Sequence, residues 1–127
     1  MARFIYHNPE KFSAKTILEL GSGTGIGGIA ALKYTEPSKV IFTDYTEEVN
    51  QLLSENIKLQ GESKSYDIQL VDWTKPGDYD KVTSTPIDIV IATDVIYKGS
   101  PYSDMANLLL LICQRNTHAE IMIIIPK

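Results

Sequence analysis

Glu19, Asp44, Asp72 and Asp94 each stand at or near the end of a short apolar run, in ILEL, VIFTD, QLVD and IVIATD. A glycine cluster follows the first of them: Thr16 to Gly28 reads TILELGSGTGIGG. Glycine serves where the backbone needs a positive φ, or where a Cβ would hold a ligand off the main chain. Apolar residues resume at Ile29-Ala30-Ala31-Leu32, and a helix there points its free N–H groups and positive dipole end back at the turn. Strand, glycine turn and helix start together describe a nucleotide-sized binding site. Register narrows the ligand. A dinucleotide turn places GxGxxG directly after the first strand. Counted from Gly21, its last position falls on Ile26, and the formal match at Gly23, Gly25 and Gly28 begins two residues late. The pattern that fits is acid-x-Gly-x-Gly-x-Gly over Glu19, Gly21, Gly23 and Gly25. A carboxylate so placed would repel a pyrophosphate and suits a ligand with a cationic amine.

The elements that must position these residues alternate along the chain. The pattern predicts strands at Lys15–Leu20, Lys39–Thr43, Ser65–Val71, Ile87–Ala92 and Glu120–Ile125, each short, apolar and rich in β-branched residues. Between them it predicts a helix from Gly25 to Tyr34, and a second opening at Thr46 with an apolar face of Val49, Leu52, Leu53, Ile57 and Leu59. Gly61 ends that second helix, and a third runs over Ser103–Asn116. Thr74–Pro86 reads as a loop with at most one helical turn, and Phe4–His7 as a short helical turn. Strands apolar on both faces and alternating with helices indicate an α/β doubly wound, three-layer sheet, mostly parallel. Right-handed crossovers bring the carboxyl ends of its first four strands to one edge, where ligands of such sheets bind. Asp44, 25 positions after Glu19, can there accept both hydroxyls of a ribose.

ILELGSGTG, FTDY, VDW and ATDVIY occur in that order, and together they resemble the class I, seven-strand methyltransferases that use S-adenosylmethionine. Asp94-Val95-Ile96-Tyr97 is similar to the Asp-x-x-Tyr marker of methyltransferase family 16, the eukaryotic protein-lysine branch. The resemblance implies a Rossmann-like fold, S-adenosylmethionine as cofactor, and a lysine side chain of a protein, such as a translation factor or chaperone, as acceptor. It further implies cofactor contacts from Glu19, Gly21, Ser22, Gly23, Gly25, Asp44, Tyr45, Asp72, Trp73 and Thr93, with Asp72 toward the exocyclic amine of adenine. Tyr45 either lies against the adenine or is a half-buried loop residue, and Trp73 is either a wall of the site or core. Asp94 and Tyr97 take the catalytic roles. Lysine, with a reference pKa of about 10.4, must lose a proton before attack. Asp94 would accept a hydrogen bond from the amine and aim it, and Tyr97 would pack on the amine or its methylated product as a cation–π wall. Otherwise they are a turn aspartate and a packed tyrosine.

Composition excludes other classes. With 127 residues the expectation is one methyltransferase domain spanning 1–127. Twelve basic against 16 acidic residues give −4, which argues against a non-specific hold on nucleic acid. Leu108–Cys113 and Ile121–Ile125 are too short to span a membrane. A single cysteine and two distant histidines, His7 and His118, offer neither a disulfide nor a metal motif. A cytoplasmic, or also nuclear, location is expected. The sequence stops two residues after the fifth predicted strand, so the domain is expected to be incomplete at both ends and to lack the C-terminal antiparallel hairpin of the family. The exposed sheet edge would then be covered by a second copy or a partner subunit. Two alternatives stay open: a catalytically inactive cofactor-binding or interaction module, and an NAD-dependent oxidoreductase using the late GxGxxG.

Overall fold

A computed structural model of the chain describes residues 1–61 and 64–125. In chain order these form α1 (Ala2–His7), β1 (Thr16–Leu20), α2 (Ile26–Tyr34), β2 (Lys39–Asp44), α3 (Glu47–Leu59), β3 (Tyr66–Leu70), α4 (Tyr79–Thr83), β4 (Ile89–Thr93), α5 (Tyr102–Arg115) and β5 (Glu120–Ile124). The five strands make one sheet in the order β3-β2-β1-β4-β5. Every pairing is parallel. The order reverses between β1 and β4, so the crevice of the switch point opens above the end of β1.

The strand residues explain why the sheet is covered on both sides. Ile17, Val40, Phe42, Ile89 and Ile91 face a layer built from α1, α2 and α3, with Ile5, Leu32, Leu53 and Ile57 packed against them. Leu18, Leu20, Ile41, Val90 and Ala92 face the opposite layer, where α4 and α5 contribute Tyr79, Val82, Met105, Leu108 and Ile112. A strand buried on both faces cannot alternate apolar with polar residues, which is why these segments read as continuous apolar runs. Three polar residues toward the strand ends break the rule: Glu19, 3% exposed on the α2 side, Thr43 at 0% and Asp44 at 8%.

Two expectations need correction. The inward face of α3 is Asn50, Leu53 and Ile57, while Leu52 and Leu59 are 46% and 81% exposed. The stripe is rotated: Leu53 packs against the glycine turn at Gly25, and Asn50, about one turn before it, is carried inward to 8% exposure. The segment after Trp73 is also more ordered than a loop. Pro76–Asp78 makes a 3-10 turn and α4 follows, burying Tyr79, Val82 and Thr83. Burial against the sheet outweighs the breaker residues. On β5, Ile121, Ile123 and Ile124 are each more than a third exposed. Among the described residues, no helix is long and apolar enough to cross a membrane.

Candidate functional site

Parallel registers put the strand ends in a row. Leu20 of β1 is level with Thr43 of β2 and Ala92 of β4, so Gly21, Asp44 and Thr93 are neighbours on one rim, each about a strand spacing from the next. The glycine turn is bolted to β2. The Ser22 amide donates to the Thr43 carbonyl at 2.8 Å, and the Ser22 hydroxyl donates to the Glu19 carbonyl while accepting the Thr43 amide. Gly21, Gly23 and Gly25 all have positive φ, of 61°, 52° and 82°, so their amides and carbonyls face directions that an L side chain resists.

Above this rim lie two adjoining cavities. The larger, of about 430 Å³, is lined by Gly21, Asp44, Tyr45, Asp72, Trp73, Asp94 and Tyr97, together with Val71, Thr74, Val95, Gly99 and Pro101. The smaller, of about 240 Å³, is lined by Met1, Ala2, Glu19, Ser22, Gly23, Thr24, Ile26, Gly27 and Thr93, and shares Gly21 and Asp94 with the first. All four carboxylates therefore border one continuous cleft at the carboxyl edge of the sheet. Of the cofactor-binding residues expected from sequence, Gly25 is absent from both linings. A Cβ there would collide with Leu53. Its role is to let α3 approach the turn.

The carboxylates differ in what they have left to offer. Asp44 accepts the Gly23 amide on one oxygen at 3.0 Å and the Tyr45 amide on the other at 2.8 Å. Each oxygen keeps a second lone pair toward the larger cavity. Asp72 accepts both the hydroxyl and the amide of Thr74 on one oxygen and pairs with Lys75 at 3.1 Å on the other. These bonds, the Thr74 hydroxyl first, hold its carboxyl below the ordinary range. An adenine amine would have to share those oxygens. Trp73 is fixed from behind, because the Tyr79 hydroxyl of α4 donates to its carbonyl at 2.8 Å. Sequence reading missed Tyr79 by treating its segment as a loop.

Asp94 is exposed and sits at φ 60°, a left-handed conformation that costs a non-glycine residue about 1–2 kcal/mol. Its amide donates to the Ile124 carbonyl, extending the β4–β5 ladder by one residue. The turn that follows is closed by Ser100, 6% exposed, whose hydroxyl donates to the Tyr97 carbonyl and accepts the Tyr97 amide. That leaves the Tyr97 ring 61% exposed on the cavity wall. The Thr93 hydroxyl, beside Asp94, is buried without a hydrogen-bond partner.

Glu19 is the outlier. Its two oxygens accept the Gly27 and Gly28 amides of α2 at 3.1 and 3.0 Å. Burial pushes its carboxyl up to about 7, and the two amides hold back the rise. A carboxyl with a raised folded-state pKa contributes stability in full below the unfolded value of about 4.5, and loses it as pH rises through 7. The difference is on the order of 3 kcal/mol. Urea unfolding at pH 5.5 and pH 8 is expected to show wild type losing about 2 kcal/mol relative to Glu19→Gln over that span. Parallel slopes for the two proteins would show that Glu19 ionises freely in the fold.

Comparison with known proteins adds three findings. A family model described as lysine methyltransferase matches residues 2–127. The human protein-lysine N-methyltransferase EEF2KMT is 31% identical over 94% of this chain and 40% of its own length. The calmodulin-lysine N-methyltransferase of Arabidopsis thaliana is 26% identical over 100% of this chain and 42% of its own. The chain thus spans about 40% of the curated relatives it matches. Among solved structures, the precorrin 8W decarboxylase of Methanobacterium thermoautotrophicum superposes over 96% of this chain and 60% of that one, with a TM-score of 0.72 at 18% identity. That likeness speaks for the fold alone.

Proposed function

The chain belongs to the lysine methyltransferase family, and from that premise we propose that it binds S-adenosylmethionine in the cleft above Gly21 and methylates a lysine side chain of a protein. One observation carries the reading: Asp94 and Tyr97 stand on the wall of the same cavity that Asp44, Tyr45 and Trp73 enclose. The group that would deliver a methyl and the residues that would aim its acceptor are thereby brought within one site.

The residues present fit the cofactor. Asp44 offers two held carboxylate oxygens to a ribose, and Tyr45, Val71 and Trp73 supply apolar and aromatic walls for a base. The orphaned Thr93 hydroxyl offers a hydrogen bond to a polar group in the smaller cavity, because a buried hydroxyl without a partner is costly until a ligand satisfies it. When bound, the cofactor supplies an activated methyl on a positively charged sulfur. The protein's share is then positional. Asp94 accepts an N–H of the acceptor amine and fixes where its lone pair points. Tyr97 places a π face beside the nitrogen that becomes positively charged as the methyl is transferred, an attraction worth about 0.5–2 kcal/mol. The acidic cleft suits both the donor and a lysine entering it.

Two measurements test the reading. Calorimetry should show S-adenosylhomocysteine binding in a 1:1 complex, with NAD undetected at the same concentrations. Incubation with a cell lysate and labelled S-adenosylmethionine should transfer label to protein, recovered as methyl-lysine after hydrolysis and lost with Asp94→Asn. Binding of NAD alone would support the oxidoreductase reading. Cofactor binding without transfer to any protein would leave a binding module.

A further inference from the structure

Two carbonyls from different walls of the cleft meet at one hydroxyl. Tyr79 opens α4 and is 9% exposed. Its ring belongs to the core cluster that holds Val82, Met105 and Leu108, and its hydroxyl donates to the Trp73 carbonyl at 2.8 Å. The same oxygen lies 3.3 Å from the Asp104 carbonyl, in the first turn of α5. A hydroxyl carries one proton, so the two acceptors share it, and the shorter bond is the stronger. Trp73 stands on the wall where a base would rest. α5 begins directly after the turn that carries Tyr97, Gly99 and Pro101 along the acceptor wall. Helix and turn are joined by backbone bonds, from the Tyr102 amide to the Ser100 carbonyl and from the Met105 amide to the Pro101 carbonyl. Residues 102–105 lie outside both cavity linings, as does Tyr79. Whatever reaches them from a bound ligand has to pass through the protein.

Resting on the reading of the cleft as a methyl-donor site, we propose that Tyr79 is a positioning residue that links the donor wall to the acceptor wall, so that a base docked on Trp73 steadies the first turn of α5 and the Tyr97–Pro101 turn before it. The link is a chain of restraints. A base held against Trp73 limits the motion of its backbone, the Trp73 carbonyl fixes the Tyr79 hydroxyl, and the hydroxyl fixes the start of α5. The Tyr79 ring is the rigid part, because it is packed among core residues of α4 and α5 and has few ways to yield. Coupling of this kind is reciprocal. An acceptor that settles the Tyr97 turn therefore tightens the hold on the donor, and a filled donor site readies the turn for an acceptor.

The test uses Tyr79→Phe, which removes the oxygen and keeps the packed ring. Trp73 is the only tryptophan of the chain, so tryptophan fluorescence reports its wall alone. In the ligand-free protein, Tyr79→Phe is expected to raise acrylamide quenching of Trp73. It should also speed amide exchange over residues 102–105, read by NMR, by about 3- to 10-fold, the worth of one hydroxyl–carbonyl bond. In wild type, saturating S-adenosylhomocysteine is expected to slow exchange both in the glycine turn, at 21–25, and at 102–105. In saturated Tyr79→Phe the glycine turn should be protected as in wild type, and 102–105 should gain nothing. Val82→Ala is the control, since it loosens the same core and keeps the hydroxyl. It should lower the urea midpoint more than Tyr79→Phe does and still show ligand protection at 102–105. The proposal is overturned if wild type gains no protection at 102–105, if Tyr79→Phe keeps that protection, or if Val82→Ala loses it equally. If wild type does not bind S-adenosylhomocysteine, the methyl-donor reading fails separately. The link is then decided in the ligand-free protein: Trp73 quenching and 102–105 exchange rising together in Tyr79→Phe support it, and any other result there overturns it.

Discussion

Gly25→Ala is expected to remove about 4 kcal/mol of folding free energy, where Gly23→Ala removes about 1–2. The two residues stand two apart in the same turn, both with positive φ, and sequence alone treats them as equivalent. At Gly23 an added Cβ meets nothing within 4 Å, so the cost is the left-handed backbone alone. At Gly25 the same strain applies, and the Cβ also overlaps Leu53 and comes 3.2 Å from Ile29. Leu53 is 0% exposed and must shift within the core to make room, so overpacking adds about 1–3 kcal/mol. For a chain of this size that is a loss of roughly 10–20 °C in Tm, read by thermal melts or urea midpoints. Binding should divide the opposite way. Gly23 lines the smaller cavity, so Gly23→Ala should weaken S-adenosylhomocysteine while leaving most of the stability intact. Equal stability losses for the two variants would show that Leu53 moves aside freely, and that α3 does not press on the turn.

The element order, the parallel sheet and the gathering of acids at one rim were legible because each rests on a local pattern. Apolar runs of five residues, a glycine cluster and β-branched segments ending in Asp are all written along the chain, and no predicted strand end missed by more than two residues. The roles within the site were less legible, since they depend on what comes from a distance. Glu19 reads as a contact for a ligand amine, yet both its oxygens are used by α2. The signal was present in Gly27-Gly28, a pair that is unfavourable inside a helix unless something occupies the space of their side chains. Gly25 reads as a cofactor glycine, and Leu53, 28 positions on, makes it a packing glycine. The left-handed φ of Asp94 has only a weak sequence marker, because aspartate tolerates that region without requiring it. Tyr79 was hidden by the prolines and glycine around it, although its ring and hydroxyl hold the Trp73 wall. Ser100 was not singled out either, because its hold on Tyr97 exists only once the turn between them has closed.

Asp94→Asn is expected to lower kcat/KM for lysine methylation by about 100-fold or more, with S-adenosylhomocysteine affinity within about threefold of wild type. Asparagine is the informative replacement because it tolerates the left-handed conformation that Asp94 adopts at φ 60°, as alanine does not. Asp94→Ala would add a backbone cost at the rim and confuse loss of charge with loss of shape. The size of the effect follows from what the carboxylate can do. Lysine is uncharged in only about one molecule per thousand near pH 7.4, and a carboxylate is far too weak a base to change that by itself. Its contribution is to accept one N–H of the neutral amine, so that the lone pair faces the cleft. A misplacement of about 1 Å costs on the order of 100-fold. The pH profile separates aiming from proton removal. If Asp94 aims, the rate in Asp94→Asn still climbs with pH as the substrate amine deprotonates, parallel to wild type and displaced downward. If Asp94 removes the proton, the two profiles differ in shape, and the aiming role is wrong. Tyr97 supplies the second reading, since its ring stands 61% exposed on the same wall. Tyr97→Phe keeps the π face and should retain most activity, while Tyr97→Ala should lose roughly 3- to 30-fold, the worth of one cation–π contact. A Tyr97→Phe variant as impaired as Tyr97→Ala would transfer the role from the ring to the hydroxyl.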